Sequence, residues 1–209
     1  MLNMLYLAIM NISQELSQWW HQQTAIEMAG FVTGLACVYL AAKNNIWNWP
    51  FAIVNVSIYI FIFFKAHLFA DMYLQVYFLW MNIYGWYYWS HKPGAALKTP
   101  VKLITRQQVL LLSAAVIVFT IILGSVLKYT TASYPYIDSF CAACSMGAQI
   151  LMARKVLENW LIWIFVNVVY VGVYLFKDLH LTAIMYAVYI GIALLGYIEW
   201  RRDWKKQME

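Results

Sequence analysis

Charge is what this chain has least of. Only 11% of its 209 residues are charged, while 64% are hydrophobic. Soluble domains carry about 25% charged and about 45–50% apolar residues. A 24.4 kDa chain leaves much of its surface exposed, and in water that surface would be greasy. A soluble globule is thereby excluded, and a polytopic membrane protein remains. Cysteine is nearly as scarce. Cys141 and Cys144 form a CxxC and Cys37 stands apart. No second pair and no adjacent histidine completes a zinc site, so the pair reads as packing residues at i, i+3 of a helix. His21, His67, His91 and His180 are scattered without metal-ligand spacing, so neither a metal nor a cofactor is expected. There is no phosphate-binding loop for ATP and no chain of Asp, Glu and His at mid-span for protons. An intramembrane enzyme would need an acid/base pair at depth, and the chain offers only Asp138, near a span end and without a histidine partner. The expectation is a protein that is not an enzyme.

What is present is a series of apolar runs. A membrane-crossing helix needs about 20 mostly apolar residues. The segments 25–42, 47–64, 72–90, 107–127, 137–153, 159–176 and 181–200 qualify. The segment 1–22 does not. MLNMLYLAIM is short and is followed by NISQELSQWWHQQ, with no basic stretch and no small-residue cleavage site. It reads as a short interfacial helix with Trp19 and Trp20 at headgroup level rather than a signal peptide. If that segment lies outside, the inner loops hold Lys43, Lys92, Lys98, Lys102, Arg106, Arg154, Lys155, Arg201, Arg202, Lys205 and Lys206, and the outer side only Lys65, Lys128 and Lys177. The positive-inside rule then puts the N-terminus outside and the C-terminus in the cytoplasm. It also explains the net charge of +5 without nucleic acid. HKPGAALKTPVK (91–102) reads as a cytoplasmic linker.

Sliding residues 27–89 by 111 onto 138–200 brings Glu27 to Asp138, Asn48-Trp49 to Asn159-Trp160, Tyr59 to Tyr170, Gly85 to Gly196 and Trp89 to Trp200. Near Lys65 and Lys177 the offset reads as 112, a one-residue loop difference. The expected fold is all-α, with seven transmembrane helices in a 3+1+3 parallel, SWEET-like pseudo-repeat plus the short interfacial helix. Its parts are the N-terminal segment 1–22, a first three-helix repeat 25–90, a linker and connecting helix 91–127, a second repeat 137–200 and a tail 201–209. Such repeats hold a substrate between the halves near the bilayer midplane.

Polar residues fall on stripes. Trp160, Trp163 and Asn167 share a helical face. So do Gln75, Asn82, Trp86 and Trp89, then Asp138, Ser145 and Gln149, then Asn48, Asn55 and Tyr59. Trp49, Trp89 and Trp200 lie near span ends and read equally well as interface anchors. Gly30 and Gly34 form a GxxxG for close helix packing. Amides at depth in several spans point to a polar cavity. No Lys or Arg lies centrally in any span, so a phosphorylated cargo would find no partner there. Indoles, phenols and amides suit a flat, uncharged or cationic molecule with hydroxyls. Glu27 and Asp138 near the outer face would favour the approach of a cation.

The runs LFADMYLQVYFLWMNIYGWYYW (68–89), IDSF (137–140) and MARKVLENWLIWIFVN (152–167) resemble the PnuC family of bacterial vitamin transporters. The resemblance covers nearly the whole chain outside 1–22 and 91–106. It departs at WNWPFAIVNV, where the family pattern has Gly in place of Ala52, and in the compact linker. It implies facilitated diffusion across the inner membrane of a non-phosphorylated vitamin. Nicotinamide riboside is the usual cargo, trapped inside by a kinase, with thiamine or, less often, riboflavin as the alternative. It further implies that Trp160, Trp163, Asn167, Gln75, Asn82 and Gln149 line the site. With Asn55, Trp49 and Tyr59 from the second-span face, these are the substrate-binding residues expected. The partners expected are a small vitamin and membrane lipid, a homo-oligomer being compatible, and no nucleic acid. A membrane subunit of a larger transporter is the remaining alternative.

Overall fold

The computed structural model describes residues 24–91, 99–130 and 134–208, and the secondary structure among them is helical apart from one isolated parallel bridge between Lys102 and Val156. The expected interfacial helix within 1–22 and the linker residues 92–98 lie outside this description. The helices are α1 (Ala25–Ala42), α2 (Asn48–Lys65), α3 (Phe69–Ser90), α4 (Arg106–Leu127), α5 (Pro135–Ala153), α6 (Asn159–Phe176) and α7 (His180–Lys206). The seven expected segments correspond to these within a few residues, except that α7 runs on past Trp200 to Lys206, into the stretch read as a tail. That extension is held in place. Glu199 pairs with Lys43 at 3.0 Å and with Arg202, and Asp203 accepts from the Asn44 amide at 2.9 Å.

Five helices, α1, α2, α4, α6 and α7, are long and apolar enough to cross a membrane. The other two are less apolar: α3 is rich in Tyr and Trp and carries Asp71, Gln75 and Asn82, and α5, the most enclosed helix, carries Asp138, Ser139, Ser145 and Gln149. The helices α1, α2, α3, α5, α6 and α7 pack in that order into a closed ring, α7 returning to α1, while α4 packs only on α5. Helix α4 accordingly buries almost nothing and turns Leu110, Leu111, Ile121 and Ile122 outward, as a lipid-facing helix does.

Helix ends are set by local chemistry. Thr24 and Glu27 close a capping box on α1, as Thr105 and Gln108 do on α4. Glu27, expected to draw cations, is thus engaged in capping. Helices α1 and α5 both end in a left-handed residue, Asn44 and Lys155, and α2 and α6 end the same way at His67 and Asp178. Each closes the paired 6→1 and 5→2 hydrogen bonds of a Schellman turn. Asn45 N donates to Leu40 O at 2.9 Å and Val156 N to Leu151 O at 2.9 Å; Leu68 N donates to Phe63 O at 2.9 Å and Leu179 N to Tyr174 O at 2.9 Å. All four turns keep the 111-residue spacing, and α3 and α7 start 111 apart at Phe69 and His180. The expected shift to 112 near Lys65 and Lys177 does not occur.

Candidate functional site

Asparagine begins α2 and α6. Asn48 donates to Asn45 O at 2.6 Å and Asn159 to Val156 O at 2.7 Å, which ties each helix start to the turn before it. One residue on, Trp49 and Trp160 swing inward onto a glycine. A Cβ on Gly85 would come within 2.3 Å of the Trp49 ring, and one on Gly196 within 2.5 Å of the Trp160 ring, so only glycine admits the indoles there. Behind them lie Trp89 and Trp200. The four rings form a chain of edge and tilted contacts, Trp49–Trp89 at 5.1 Å, Trp89–Trp200 at 5.7 Å and Trp160–Trp200 at 5.5 Å. Such contacts add about 0.5–1.5 kcal/mol each beyond area burial. Trp89 Nε1 donates to Ala153 O at 3.1 Å and Trp200 Nε1 to Ala41 O at 2.9 Å. The interface-anchor alternative fails for Trp49, Trp89 and Trp200, which are 0%, 3% and 0% exposed.

Above this tryptophan floor lies a cavity of about 260 Å³, near the ~300 Å³ lower end for small-molecule sites. Of the residues expected to bind substrate, Trp49, Asn55, Gln75, Asn82, Gln149, Trp160, Trp163 and Asn167 all line it. Tyr59 does not; its ring packs over Gly30 of α1 and beside Phe63. Trp86 is absent from the lining as well and is 43% exposed, because the inward face of α3 centres on Asn82, Gly85 and Trp89. Ser145 is buried in α5 but lies outside the lining.

The amides divide into two groups. Asn55 gives its NH₂ to Gly30 O at 2.6 Å and thereby fastens α2 to α1. Asn48 is spent on its own turn. Gln149 Nε2 donates to Asn82 Oδ1 at 2.7 Å, joining α5 to α3, which leaves the Asn82 NH₂ and the Gln149 carbonyl oxygen for a ligand. Gln75 and Asn167 reach the cavity with no side-chain partner among the described residues. The Trp163 indole N–H is likewise buried and unpartnered among them. Sequence reasoning missed the small and apolar lining, notably Cys37, Val38, Ala52 and Ala193, and the rim tyrosines Tyr186 and Tyr189. The internal repeat could have found several of them: Gln75, Phe78 and Asn82 shift by 111 onto Tyr186, Tyr189 and Ala193. No lining residue is charged.

A ring of apolar helices around a neutral, aromatic cavity defines a multi-pass membrane protein with a central small-molecule site. The chain belongs to the family of nicotinamide mononucleotide transporters, which it matches over residues 24–202. It is 31% identical to the nicotinamide riboside transporter PnuC of Escherichia coli, with 84% of each chain covered. It is 26% identical to the riboflavin/roseoflavin transporter RibM of Streptomyces davaonensis, over 88% of this chain and 89% of that one. Among solved structures it is similar to a crystal structure of the vitamin B3 transporter PnuC, with a TM-score of 0.71 and 26% identity over 97% of this chain and 91% of that one. The resemblance read from residues 68–89, 137–140 and 152–167 is thus borne out.

Proposed function

We propose that this chain carries nicotinamide riboside across the bacterial inner membrane by facilitated diffusion, as a uniporter and not as an enzyme. The observation that carries this reading is the cavity lining, where Trp163, Gln75 and Asn167 meet without a lysine or arginine. A phosphate would need such a cation or a helix N-terminus aimed at it, so the lining supports a nucleoside rather than the mononucleotide of the family's description. The relatives' names support the riboside over thiamine. A pyridinium ring would stack on Trp163, and its ribose hydroxyls would pair with Gln75, Asn82, Gln149 and Asn167.

Transport would proceed by alternating access. The bundle is read as seven spans in a 3+1+3 parallel repeat, 25–90 and 137–200 joined by the connecting helix within 91–127. Support comes from the 111-residue pairing of turns and from the position of α4 outside the ring. The halves would rock about the cavity, parting the tryptophan floor to release cargo on the side bearing Lys43, Arg154 and Arg201. On the positive-inside count that side is the cytoplasm, where phosphorylation by a kinase would trap the product. Calorimetric titration of the purified chain with nicotinamide riboside, thiamine and riboflavin tests the cargo, and riboside affinity should be the highest. Uptake into liposomes tests the mechanism. Labelled riboside should equilibrate with no ion gradient, and a requirement for protons or sodium would overturn uniport. Transport by the purified chain alone also separates a carrier from a subunit of a larger machine.

A further inference from the structure

The two halves of the cavity wall occupy corresponding places with opposite chemistry. By the 111-residue correspondence Val38 stands where the second half has Gln149, Ala52 where it has Trp163, and Val56 where it has Asn167. In α7 the relation reverses, with Ala193 at the place of Asn82. All of these residues line the cavity. Most groups free to pair with a ligand therefore gather on α3, α5 and α6, while Val38, Ala52, Val56 and Ala193 present methyl and methylene surface on α1, α2 and α7. The exceptions on α2 are the Trp49 indole N–H in the floor, without a partner among the described residues, and the Asn55 carbonyl oxygen, left after its N–H groups go to Gly30 O and Thr33 Oγ1. A cavity polar on one side and smooth on the other holds a two-ended molecule one way round, with hydroxyls toward the amides and a flat ring between Trp163 and the smooth wall.

We propose that Ala52 is a specificity-determining residue: its methyl group, at the place where the other half carries an indole, leaves the space a flat ring enters, and side-chain volume there sets how many fused rings the cavity admits. This rests on the reading of the cavity as a vitamin site. Neighbouring lining positions are small in the same way. Ala41 and Ala193 line the same cavity with a single methyl group each. A single methylene in an apolar pocket discriminates by about 10–200-fold, which makes the choice of side chain at position 52 a strong lever.

The test compares nicotinamide riboside, with one ring, and riboflavin, with three, by calorimetry on the wild type, Ala52→Leu and Ala52→Gly. Val54→Leu, on the outward face of the same helix, serves as control. Ala52→Leu should weaken riboside binding by about ten-fold or more. Ala52→Gly should leave riboside binding nearly unchanged and raise riboflavin affinity relative to it. Val54→Leu should change neither. If Ala52→Leu unfolds in detergent, the glycine variant decides alone. Equal affinities in wild type and Ala52→Leu, or a riboside-to-riboflavin ratio unmoved by Ala52→Gly, overturn the assignment of Ala52 while leaving the vitamin site standing. A wild type that binds neither ligand overturns both.

Discussion

Trp163 combines a cavity-facing ring with a buried indole N–H that has no partner among the described residues. Base–aromatic stacking is worth about 1–3 kcal/mol, so Trp163→Ala should weaken riboside binding about 5- to 150-fold by titration, with the folded state retained. Lys155 plays a different part. It is 2% exposed, its Nζ lies 4.1 Å from the centre of the Trp89 ring, and it donates to Thr99 O at 3.0 Å. Its backbone takes part as well, since Lys102 N donates to Lys155 O at 2.8 Å and Leu157 N to Lys102 O at 2.8 Å. A residue counted from the sequence only as inner-loop charge thus straps the segment before α4 to the turn between α5 and α6. Lys155→Met would strip a charged hydrogen bond and a desolvated cation–π contact, and should lower unfolding stability by about 2–3 kcal/mol in a denaturant titration. At this scale helical spacing picked out residues most of which line the cavity, Tyr59 and Trp86 excepted, but not whom they meet. Asn55 and Gln149 follow the same pattern in sequence and both give away their amide nitrogen, Asn55 to the backbone of α1 at Gly30 O and Gln149 to the side chain of Asn82 on α3. Partner choice depends on the neighbouring helix, which no periodicity within a single helix encodes.

Helices and their ends were more legible. Apolar runs of the right length placed the helices within a few residues, save the far end of α7, because a helix that meets lipid must be apolar over its whole crossing length. The turns were not anticipated, since Asn44, His67, Lys155 and Asp178 are not the glycine that left-handed caps favour. A non-glycine residue in that conformation costs about 1–2 kcal/mol. Asn44 and Lys155 offset this through their side chains, by bonds to Asp203 and Thr99. Asp178 is exposed, so Asp178→Gly should stabilise the chain by about 1 kcal/mol in thermal unfolding. The opposite holds at Gly85, where an added Cβ meets Trp49. Gly85→Ala should destabilise by about 1–3 kcal/mol and weaken riboside binding through the displaced indole. Gly172, with nothing within 4 Å of an added Cβ, is the matched control; Gly172→Ala should gain up to about 1 kcal/mol from helix propensity.

At the scale of the whole molecule, the contacts that close the ring between α7 and α1 are those that the proposed alternating access would loosen. Lys43 and Glu199 face each other there at 3.0 Å. Cysteines at these two positions, in a background with Cys37, Cys141 and Cys144 replaced by serine, should accept a short bifunctional thiol reagent. Cross-linking should bring liposome uptake to background while titration still detects riboside binding, and reduction should restore uptake. Unimpaired transport by the cross-linked protein would mean that this seam does not move.

The indole hydrogen bonds of Trp89 and Trp200 bear on how the ring can open. The carbonyls of Ala41 and Ala153 belong to the last turns of α1 and α5, where the helical ladder runs out; Ala41 O accepts from Asn44 N at 2.9 Å within its own turn, and each carbonyl is also met by an indole N–H from the neighbouring helix of the ring. Opening the seam between α3 and α5, or that between α7 and α1, would strand a buried indole N–H. Any motion that parts these helices must therefore supply fresh acceptors for Trp89 and Trp200, and water entering the opened seam is the ready source.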